Sequence, residues 1–223
     1  MNALRSPRMY VPVDIAGDFL ALTVARFQSK YPAVCTKAVV ADFNQDFDLP
    51  AWLPSRRRLA FFTGSTIGNL DRCEASQLLA RMRTQVAPGH ALIGVDLEKD
   101  IGKLLRAYDD REGVTAAFNL NLLERLNREL DGNFDLHAFQ HEARWNEDER
   151  AVEMHLVSSN TTTVTLLGKD FKLSAGESIH TESSRKYRVE TFGQLASETG
   201  WHTEDVWLDA DSQFAIFALG SER

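Results

Sequence analysis

Cysteine is scarce in this chain, since only Cys35 and Cys73 occur among its 223 residues. Neither thiol belongs to a pair with the spacing of metal ligands, and two cysteines are too few for a disulfide framework. The sequence therefore excludes a disulfide-stapled secreted scaffold and a cysteine-based zinc finger. We predict that both cysteines are ordinary reduced thiols.

Long hydrophobic runs and an excess of positive charge are also absent. No stretch of about 18 apolar residues is present that could span a membrane. The net charge of −7 argues against broad contact with nucleic-acid phosphates or anionic membranes, because such surfaces need clustered Lys and Arg. We expect a cytoplasmic protein that binds neither nucleic acid nor membrane.

Metal ligands are sparse in the sequence. His137 and His141 are four residues apart and could bind a metal ion from one face of a helix. A third ligand is not evident near them. We therefore expect these two side chains to be surface histidines and predict no metal in the chemistry of the protein.

The first hundred residues alternate short β-branched runs with helical periodicity, which is typical of βαβ units and a mostly parallel sheet. The chain is 43% hydrophobic, enough for one core with a small appended subdomain. We predict strands at residues 9–15, 36–43, 59–63 and 91–97, and helices at 17–30 and about 73–85. The expected fold class is α/β, with a Rossmann-like sheet.

The pattern changes after Asp100. A helical stretch interrupted at residues 109–113 is followed, from about Phe139, by alternating runs typical of antiparallel strands, at 152–157, 163–167 and 177–187. A turn is predicted at Gly168, Lys169 and Asp170. A helix at 189–199 and strands at 203–209 and 213–219 end the chain. We divide it into a partial core at 1–100, an inserted β-rich substrate subdomain at 101–188, and a helix and hairpin at 189–223 that complete the core sheet.

Four predicted core strands finish in or run into a polar residue, namely Asp14, Asp42, Asn69 and Asp96. Open α/β sheets bind their ligands at the carboxyl ends of the strands. The Asn69 amide can donate and accept hydrogen bonds, so it can hold an amino group and a carboxylate together. An Asx turn or a helix cap before Asp71 explains Asn69 equally well.

The acids at two early strands suit a nucleoside. A carboxylate such as Asp14 can accept two hydrogen bonds from a ribose diol. Asp42 can accept from the amine of adenine while Phe43 packs on the base. This arrangement is typical of Rossmann-like methyltransferases that use S-adenosylmethionine, but dehydrogenases and other doubly wound enzymes share the acid positions.

Seven segments, in order along nearly the whole chain, closely resemble the histidine-specific methyltransferase family. They are residues 10–15, 61–70 (FFTGSTIGNL), 94–100, 107–110, 113–119, 126–130 and 181–187 (TESSRKY). The best-known members trimethylate the α-amino group of L-histidine to hercynine in ergothioneine biosynthesis. The resemblance thus implies S-adenosyl-L-methionine as cofactor and L-histidine as a small-molecule substrate.

The resemblance also implies roles for individual residues. It places Asp14, Asp42 and Phe43 on the cofactor, Asn69 and Tyr108 on the amino acid backbone of the substrate, and Glu182, Ser183 and Ser184 at the imidazole. A Glu carboxylate can accept the ring N–H or pair with an imidazolium, while a Ser hydroxyl satisfies the other ring nitrogen. Without the family, Glu182 is an exposed strand acid near Lys186, and Met154 is either core or the floor of the ring pocket.

Methyl transfer is an in-line displacement, so positioning supplies most of the rate. Asn69 and Tyr108 would orient the amine, and any proton could leave through Tyr108 or water. We predict no covalent intermediate, and the sequence contains no evident general base. No residue is therefore assigned a catalytic role beyond positioning.

The chain departs from the family at its start. Members begin roughly a hundred residues earlier, with a first strand and a Gly-rich turn, whereas no Gly-x-Gly precedes Gly64 here. We expect a missing N-terminal segment or a second chain to complete the sheet, beside an unpaired edge at residues 9–15. The alternatives are an inactive histidine-binding paralogue, or a methyltransferase for another aromatic amino acid such as tryptophan.

Overall fold

The computed structural model describes residues 6–54 and 57–221 and shows a mixed α/β fold. The helices are α1 (Gly17–Lys30), α2 (Arg72–Val86), α3 (Ile101–Tyr108), α4 (Val114–Glu129) and α5 (Val189–Glu198), with 3-10 turns η1 (Thr66–Asn69) and η2 (Leu136–Ala138). The strands are β1 (Met9–Tyr10), β2 (Val13–Asp14), β3 (Cys35–Thr36), β4 (Val39–Val40), β5 (Arg58–Phe62), β6 (Gly89–Asp96), β7 (Phe139–Asn146), β8 (Ala151–Ser158), β9 (Thr162–Leu166), β10 (Lys169–Leu173), β11 (Ser178–Arg185), β12 (His202–Leu208) and β13 (Phe214–Ser221). No helix of the described residues is both long and apolar enough to cross a membrane.

The central sheet has four strands in the order β12-β13-β6-β5. Strand β5 runs parallel to β6, while β13 is antiparallel to β6 and to β12. Alternate residues of β6, Ala91, Ile93 and Val95, are fully buried. Helices α2 and α5 pack against this sheet and against each other, and their apolar side chains close the main core. The terminal helix and hairpin thus extend the sheet that begins at β5.

The N-terminal βαβ unit has shorter strands than the sequence predicts. Helix α1 matches its predicted span, but each of the two predicted strands is divided into two pieces, with β1 parallel to β3 and β2 parallel to β4. Pro12 lies between β1 and β2 and has no N–H to donate. The hydrogen-bonded pairing of the two predicted strands is therefore interrupted between β1 and β2 on one and between β3 and β4 on the other.

Strands β7 to β11 form two antiparallel sheets apart from the central one. Strands β11, β8 and β7 make a sheet, helix α4 packs on it, and Leu123, Phe139 and Leu156 are buried between them. The predicted turn at residues 168–170 is wrong in extent, because Lys169 and Asp170 already belong to β10, which pairs with β9. Leu167 and Gly168 both have positive φ values, 51° and 72°. Two such residues make the tight hairpin turn that suits twisted strands.

The central sheet and the sheet of β11, β8 and β7 meet where β6 and β11 end. Tyr187 forms an isolated parallel bridge with Leu97. The Tyr187 N–H donates to the Asp96 carbonyl at 3.1 Å, and the Glu98 N–H donates to the Tyr187 carbonyl at 2.9 Å. This junction brings residues just before Tyr187 on β11 close to the carboxyl end of the central sheet.

Candidate active site

Strand β11 carries polar side chains with the period of a strand. Glu182 lies directly opposite Met154, and Ser184 opposite Val152, in register with β8. Because successive side chains alternate across a strand, Glu182, Ser184 and Lys186 share one face and Ser183 points to the other. The shared face looks toward η1 and helix α3, which supply Asn69 and Tyr108.

Asn69 and Glu182 are 113 residues apart in the chain and meet at this face. The Asn69 Nδ2 donates to Glu182 Oε1 at 2.6 Å. Gly68 allows this approach, because a Cβ at that position would lie 2.7 Å from the Arg185 carbonyl oxygen. The glycine before Asn69 is therefore required by the contact between η1 and the backbone of β11.

The Glu182 carboxyl is half-buried. Burial raises its pKa above the ordinary value, and the hydrogen bond from Asn69 lowers it by less. A carboxylate in this environment has lost water contacts without gaining a cationic partner. It can regain hydrogen bonds by accepting an N–H group from a ligand.

Lys186 is one of the largest buried side chains of the described residues, with 2% of its surface exposed. Its ammonium group donates to Tyr108 Oη at 2.7 Å and to Ser184 Oγ at 2.8 Å, and it pairs with Asp96 Oδ2 at 2.9 Å. The two hydroxyl oxygens are themselves 2.7 Å apart. We call Lys186, Tyr108 and Ser184 the lysine triangle.

The hydrogens of the lysine triangle can be counted. An ammonium group has three N–H donors and no acceptor, so its partners at Asp96, Tyr108 and Ser184 use all three. The two hydroxyls have one hydrogen each, and one of them is used in the bond between Tyr108 and Ser184. One hydroxyl hydrogen is left for a ligand, and the triangle therefore acts as a hydrogen-bond donor.

Asp96 connects this triangle to the central sheet. Its other carboxylate oxygen, Oδ1, accepts from Lys99 Nζ at 2.5 Å, and its backbone N–H donates to Ser65 Oγ at 2.9 Å. Lys99 and Lys186 thus share one carboxylate, which leaves one net positive charge. The Tyr108 side of the site is cationic, whereas the Glu182 side is anionic.

His141 fixes the end of helix α3, where Tyr108 lies. Its Nε2 is 2.7 Å from the Tyr108 carbonyl, and its Nδ1 is 3.0 Å from Asn119 Nδ2. A carbonyl oxygen only accepts, so Nε2 donates to it and Nδ1 accepts from the amide. His137 lies in η2 and His141 in β7. They do not share a helical face, and the helical metal pair considered from the sequence does not form.

Ser183 and Met154 complete the predicted substrate group. The Ser183 Oγ is 3.0 Å from His180 Nε2, on the face of β11 away from Glu182 and Ser184. Met154 is 5% exposed and lies opposite Glu182. The structure thus brings Asn69, Tyr108, Glu182 and Ser184 to one face, whereas Ser183 lies apart from them.

The predicted cofactor residues lie at the carboxyl ends of the short parallel strands. Asp14 Oδ1 accepts from the Ala16 N–H at 2.8 Å, and Asp42 Oδ1 accepts from the Asn44 N–H at 2.9 Å. Each bond uses one carboxylate oxygen and leaves the other free to accept from a ligand. The Phe43 ring packs edge-on against Phe62, with centroids 5.5 Å apart.

A cleft adjoins Asp42. It has a volume of about 530 Å³ and is lined by Asp42, Leu70, Glu74 and Arg81 among others. Leu70 directly follows Asn69 in the chain. The cleft therefore lies between the segment that follows β4 and helix α2.

One further cluster could hold a metal ion. Glu153, His155 and His180 each place a ligand atom within 4.8 Å of the others, on the β8 and β11 face that also carries Ser183. This cluster, which we call the His-Glu cluster, is separate from the face that carries Glu182.

Sequence reasoning missed Lys186, the link through Asp96 and the role of His141. A lysine next to an arginine is normally exposed, and so the burial of Lys186 was not expected. The signal that could have identified it is the strand period, since Lys186 follows Glu182 and Ser184 in steps of two.

Comparison with known proteins gives a consistent result. The family model described as histidine-specific methyltransferase, SAM-dependent, matches residues 1–221. The chain is 38% identical over 212 residues to histidine N-alpha-methyltransferase of Mycolicibacterium smegmatis, covering 94% of the chain and 65% of that protein. It is 39% identical over 223 residues to the protein of the same name from Mycobacterium tuberculosis, covering 97% of the chain and 68% of that protein. The chain thus spans about two thirds of the length of these relatives.

The fold also has relatives among solved structures. The crystal structure of an S-adenosylmethionine-dependent methyltransferase from Clostridium acetobutylicum matches with a TM-score of 0.52 at 10% sequence identity. The match covers 96% of this chain and 75% of that one. At this identity the likeness concerns the fold, and it confirms the Rossmann-like arrangement predicted from the sequence.

Proposed function

This chain belongs to the family of histidine-specific, S-adenosylmethionine-dependent methyltransferases, and we propose that it methylates the α-amino group of L-histidine. The product of complete transfer is Nα,Nα,Nα-trimethylhistidine (hercynine), which the sequence resemblance assigns to ergothioneine biosynthesis. We place the protein in the cytoplasm, where its two free, exposed cysteines would remain reduced.

The observation that carries this proposal is the hydrogen bond between Asn69 and Glu182, with the lysine triangle on the same face. An anionic acceptor stands at one side of the site and a cationic donor group at the other. L-Histidine offers a matching pair of groups, an imidazole N–H for Glu182 and an anionic carboxylate that the net positive charge of the Tyr108 side would attract. Ser184, with Tyr108 in hydrogen-bond contact, would complete the ring contacts.

Asp14, Asp42 and Phe43 are the residues that we propose for the cofactor. Their carboxylates keep one acceptor oxygen each, which fits the ribose hydroxyls and the adenine amine. When bound, S-adenosylmethionine supplies an electrophilic methyl group on a sulfonium. The cleft beside Asp42 would receive the nucleoside part and leave the Asn69 end for the amino acid.

The reaction forms an N–CH₃ bond as the S–CH₃ bond breaks, which gives S-adenosylhomocysteine and releases a proton from the amine. We propose that Asn69 and Tyr108 hold the neutral amine in line and that the proton leaves to water or through Tyr108. Most of the acceleration then comes from orientation, because a correctly placed amine needs no activation by a metal or a covalent intermediate.

The edge of β5 that faces away from β6 is relevant to the partners of this chain. Within residues 6–54 and 57–221, β5 pairs only with β6, and Leu59 and Phe61 on one face of it are 42% and 70% exposed. An exposed apolar strand edge is a template for pairing. We propose that a further strand, from a preceding segment or a second chain, pairs with β5.

The test is isothermal titration of the chain with S-adenosylhomocysteine and L-histidine, separately and together, alongside its Glu182→Gln variant. We expect histidine to bind more tightly when S-adenosylhomocysteine is present, and Glu182→Gln to weaken histidine binding only. The gain in affinity caused by S-adenosylhomocysteine should be much smaller for D-histidine, because the amine of D-histidine has a different orientation when its ring and carboxylate are bound. Mass spectrometry of the product counts the methyl groups.

Two results would overturn the proposal. Histidine binding that is unchanged in Glu182→Gln would remove the imidazole assignment. Methyl transfer to tryptophan in preference to histidine would show that the site does not recognise two ring nitrogens, because an indole has only one. A folded chain that binds neither ligand until a further strand is supplied would support the proposal for the β5 edge.

A further inference from the structure

The His-Glu cluster has the placement of ligands that β-sheets offer to a metal ion. Glu153 and His155 are two residues apart on β8, and so they project from the same face. His180 on β11 lies directly opposite His155 in the antiparallel register. Two ligands at positions i and i+2 and a third across the strand pair converge on one point above the sheet.

The distances agree with this placement. The His155 Nε2 is 3.1 Å from Glu153 Oε2, close to the edge of about 3.4 Å in a zinc tetrahedron with bonds of about 2.1 Å. The rings of His155 and His180 are stacked with centroids 5.0 Å apart. His180 is exposed, so its ring can turn toward the other two ligands without disturbing the core. Its Nε2 then exchanges contacts of 3.1 Å with the Glu182 carbonyl oxygen and 3.0 Å with Ser183 Oγ for the bond to the ion.

Surrounding groups hold the ligands in position. Asn146 Nδ2 donates to Glu153 Oε1 at 2.7 Å, and Ser178 Oγ lies 3.2 Å from His155 Nδ1. Partners of this kind fix the orientation and tautomer of metal ligands. The His155 side chain is only 10% exposed, so its orientation is set before any ion binds.

The proton balance is also satisfied. A carboxylate only accepts, so in the ion-free protein His155 donates from Nε2 to Glu153, and the Ser178 hydroxyl donates to Nδ1. When a cation takes the place of the Nε2 hydrogen, the ring adopts the Nδ1–H tautomer. Ser178 Oγ then accepts that hydrogen, since a hydroxyl has two lone pairs and Arg144 uses only one.

The charge around the cluster permits a cation. Arg144, which donates to Ser178 Oγ beside the cluster, is paired with Glu142 through two bonds of 3.0 Å and 2.9 Å. Its charge is thus neutralised by a carboxylate outside the cluster. Glu153 supplies the anionic ligand, and the two imidazoles bind as neutral groups.

We propose that Glu153, His155 and His180 bind a divalent transition-metal ion, with zinc as the best match and water in the fourth position. Two nitrogen ligands and one carboxylate suit zinc better than magnesium or calcium, which prefer oxygen ligands. The site lies on the face of β11 opposite Glu182 and takes no part in methyl transfer. Its effect is to join β8 to β11.

The experiment titrates the tag-free 223-residue chain with Zn²⁺ by calorimetry and with Co²⁺ by visible absorption, which reports nitrogen-ligated, four-coordinate cobalt. The variants are His180→Gln and Glu153→Gln. The matched control is His202→Gln, since His202 and His90 both lie 3.3 Å from Glu204 and form another exposed histidine and glutamate group. Thermal unfolding with and without Zn²⁺ accompanies each titration.

We expect one equivalent of Zn²⁺ to bind the parent chain and His202→Gln and to raise their Tm. In His180→Gln and Glu153→Gln the affinity should fall by about tenfold or more, because each loses one of three ligands, and the rise in Tm should disappear. The proposal would be overturned if the folded parent chain bound neither Zn²⁺ nor Co²⁺. It would also be overturned if His202→Gln lost binding while His180→Gln kept it. Neither result depends on methyltransferase activity.

Discussion

Lys186 Nζ lies 2.7 Å from Tyr108 Oη, although 78 residues separate them in the chain. The ammonium also lies 4.6 Å from the centroid of the Tyr108 ring. A cation so placed fixes both the position of the phenol and the direction of its hydrogen bond. Because Tyr108 Oη accepts from Lys186, its own hydrogen is available to Ser184 or to a ligand.

Replacing Lys186 by Met is expected to weaken histidine binding by about tenfold or more, because Tyr108 and Ser184 lose a charged donor. The variant should also lower the free energy of unfolding by about 3 kcal/mol, near the low end for a broken buried ion pair, since Asp96 keeps Lys99 as a partner. Calorimetry with L-histidine and urea unfolding measure the two effects.

The matched control is Lys99→Met. Lys99 binds the other oxygen of the same Asp96 carboxylate but makes no hydrogen bond to Tyr108 or Ser184. We expect this variant to lose stability while keeping most of its histidine affinity. Equal losses of affinity in the two variants would mean that Lys186 acts only through the fold.

Glu182 predicts a pH dependence. Burial raises its pKa, so the carboxyl gains a proton at a higher pH than an ordinary Glu. A raised pKa favours the protonated form in the folded state, so ionisation of Glu182 costs stability as the pH rises through its folded pKa. Glu182→Gln should therefore raise Tm at pH 7 while weakening histidine binding.

The affinity for histidine should change with pH in the direction opposite to the Glu182 contribution to stability. It should fall as the pH drops and Glu182 loses its charge, and this part of the profile should be absent in Glu182→Gln. The imidazole of the free ligand titrates near about pH 6.5 in both experiments. The difference between the profiles of the parent chain and Glu182→Gln therefore reports Glu182 alone. A parallel pH profile in both proteins would contradict the assignment.

The two serines of β11 offer a direct comparison. Ser184 is buried in the lysine triangle, whereas Ser183 contacts His180 on the other face. Ser184→Ala should weaken histidine binding by about fivefold to tenfold, the value of one hydrogen bond, and Ser183→Ala should change it by less than about twofold. The reverse order would show that the substrate lies on the His180 face.

Much of the fold follows from the sequence because periodicity reports burial. The span of α1 and the ends of α2, α5 and β6 lie within two residues of their predictions. The division of the first two strands at Pro12 and the start of β10 at Lys169 were not predicted, since hydrogen-bond partners in a sheet come from distant residues. Family membership, by contrast, is confirmed by the match over residues 1–221.

The site is only partly visible in the sequence. Asn69 and Glu182 could be named from the family resemblance, but their contact depends on how η1 meets β11. The burial of Lys186 was not predicted, because it depends on Asp96 and Tyr108, which come from two distant places in the chain. The face of each strand residue follows from a period of two, whereas the partner on that face is a property of the tertiary structure.

Tyr187 predicts a gain in stability. Its hydroxyl is buried without a hydrogen-bond partner among the described residues, and burial raises its pKa to about 12. Tyr187→Phe removes the unpaired group and keeps the edge-on ring contact with Phe192. The free energy of unfolding should rise by about 1 kcal/mol at pH 7.

The same residue has an alkaline signature. An unfolded Tyr loses its proton near about pH 10, whereas folded Tyr187 keeps it until about pH 12. Folding is thus favoured by the bound proton, and this contribution is lost as the pH rises between those values. Tyr187→Phe should flatten that part of the stability curve, and an unchanged slope would show that the hydroxyl is solvated.

Gly68→Ala tests the positioning of Asn69 without removing any polar group. The added Cβ would lie 2.7 Å from the Arg185 carbonyl oxygen, so η1 must move away from β11. The hydrogen bond between Asn69 and Glu182 would lengthen, and histidine binding should weaken by about tenfold, comparable to the loss in Asn69→Ala. Gly64→Ala is the matched control in the same loop, because its nearest contact is Thr66 Oγ1 at 3.6 Å. If Gly68→Ala and Gly64→Ala bind histidine equally, the close contact at Gly68 does not position Asn69. The site must then be organised from β11 alone.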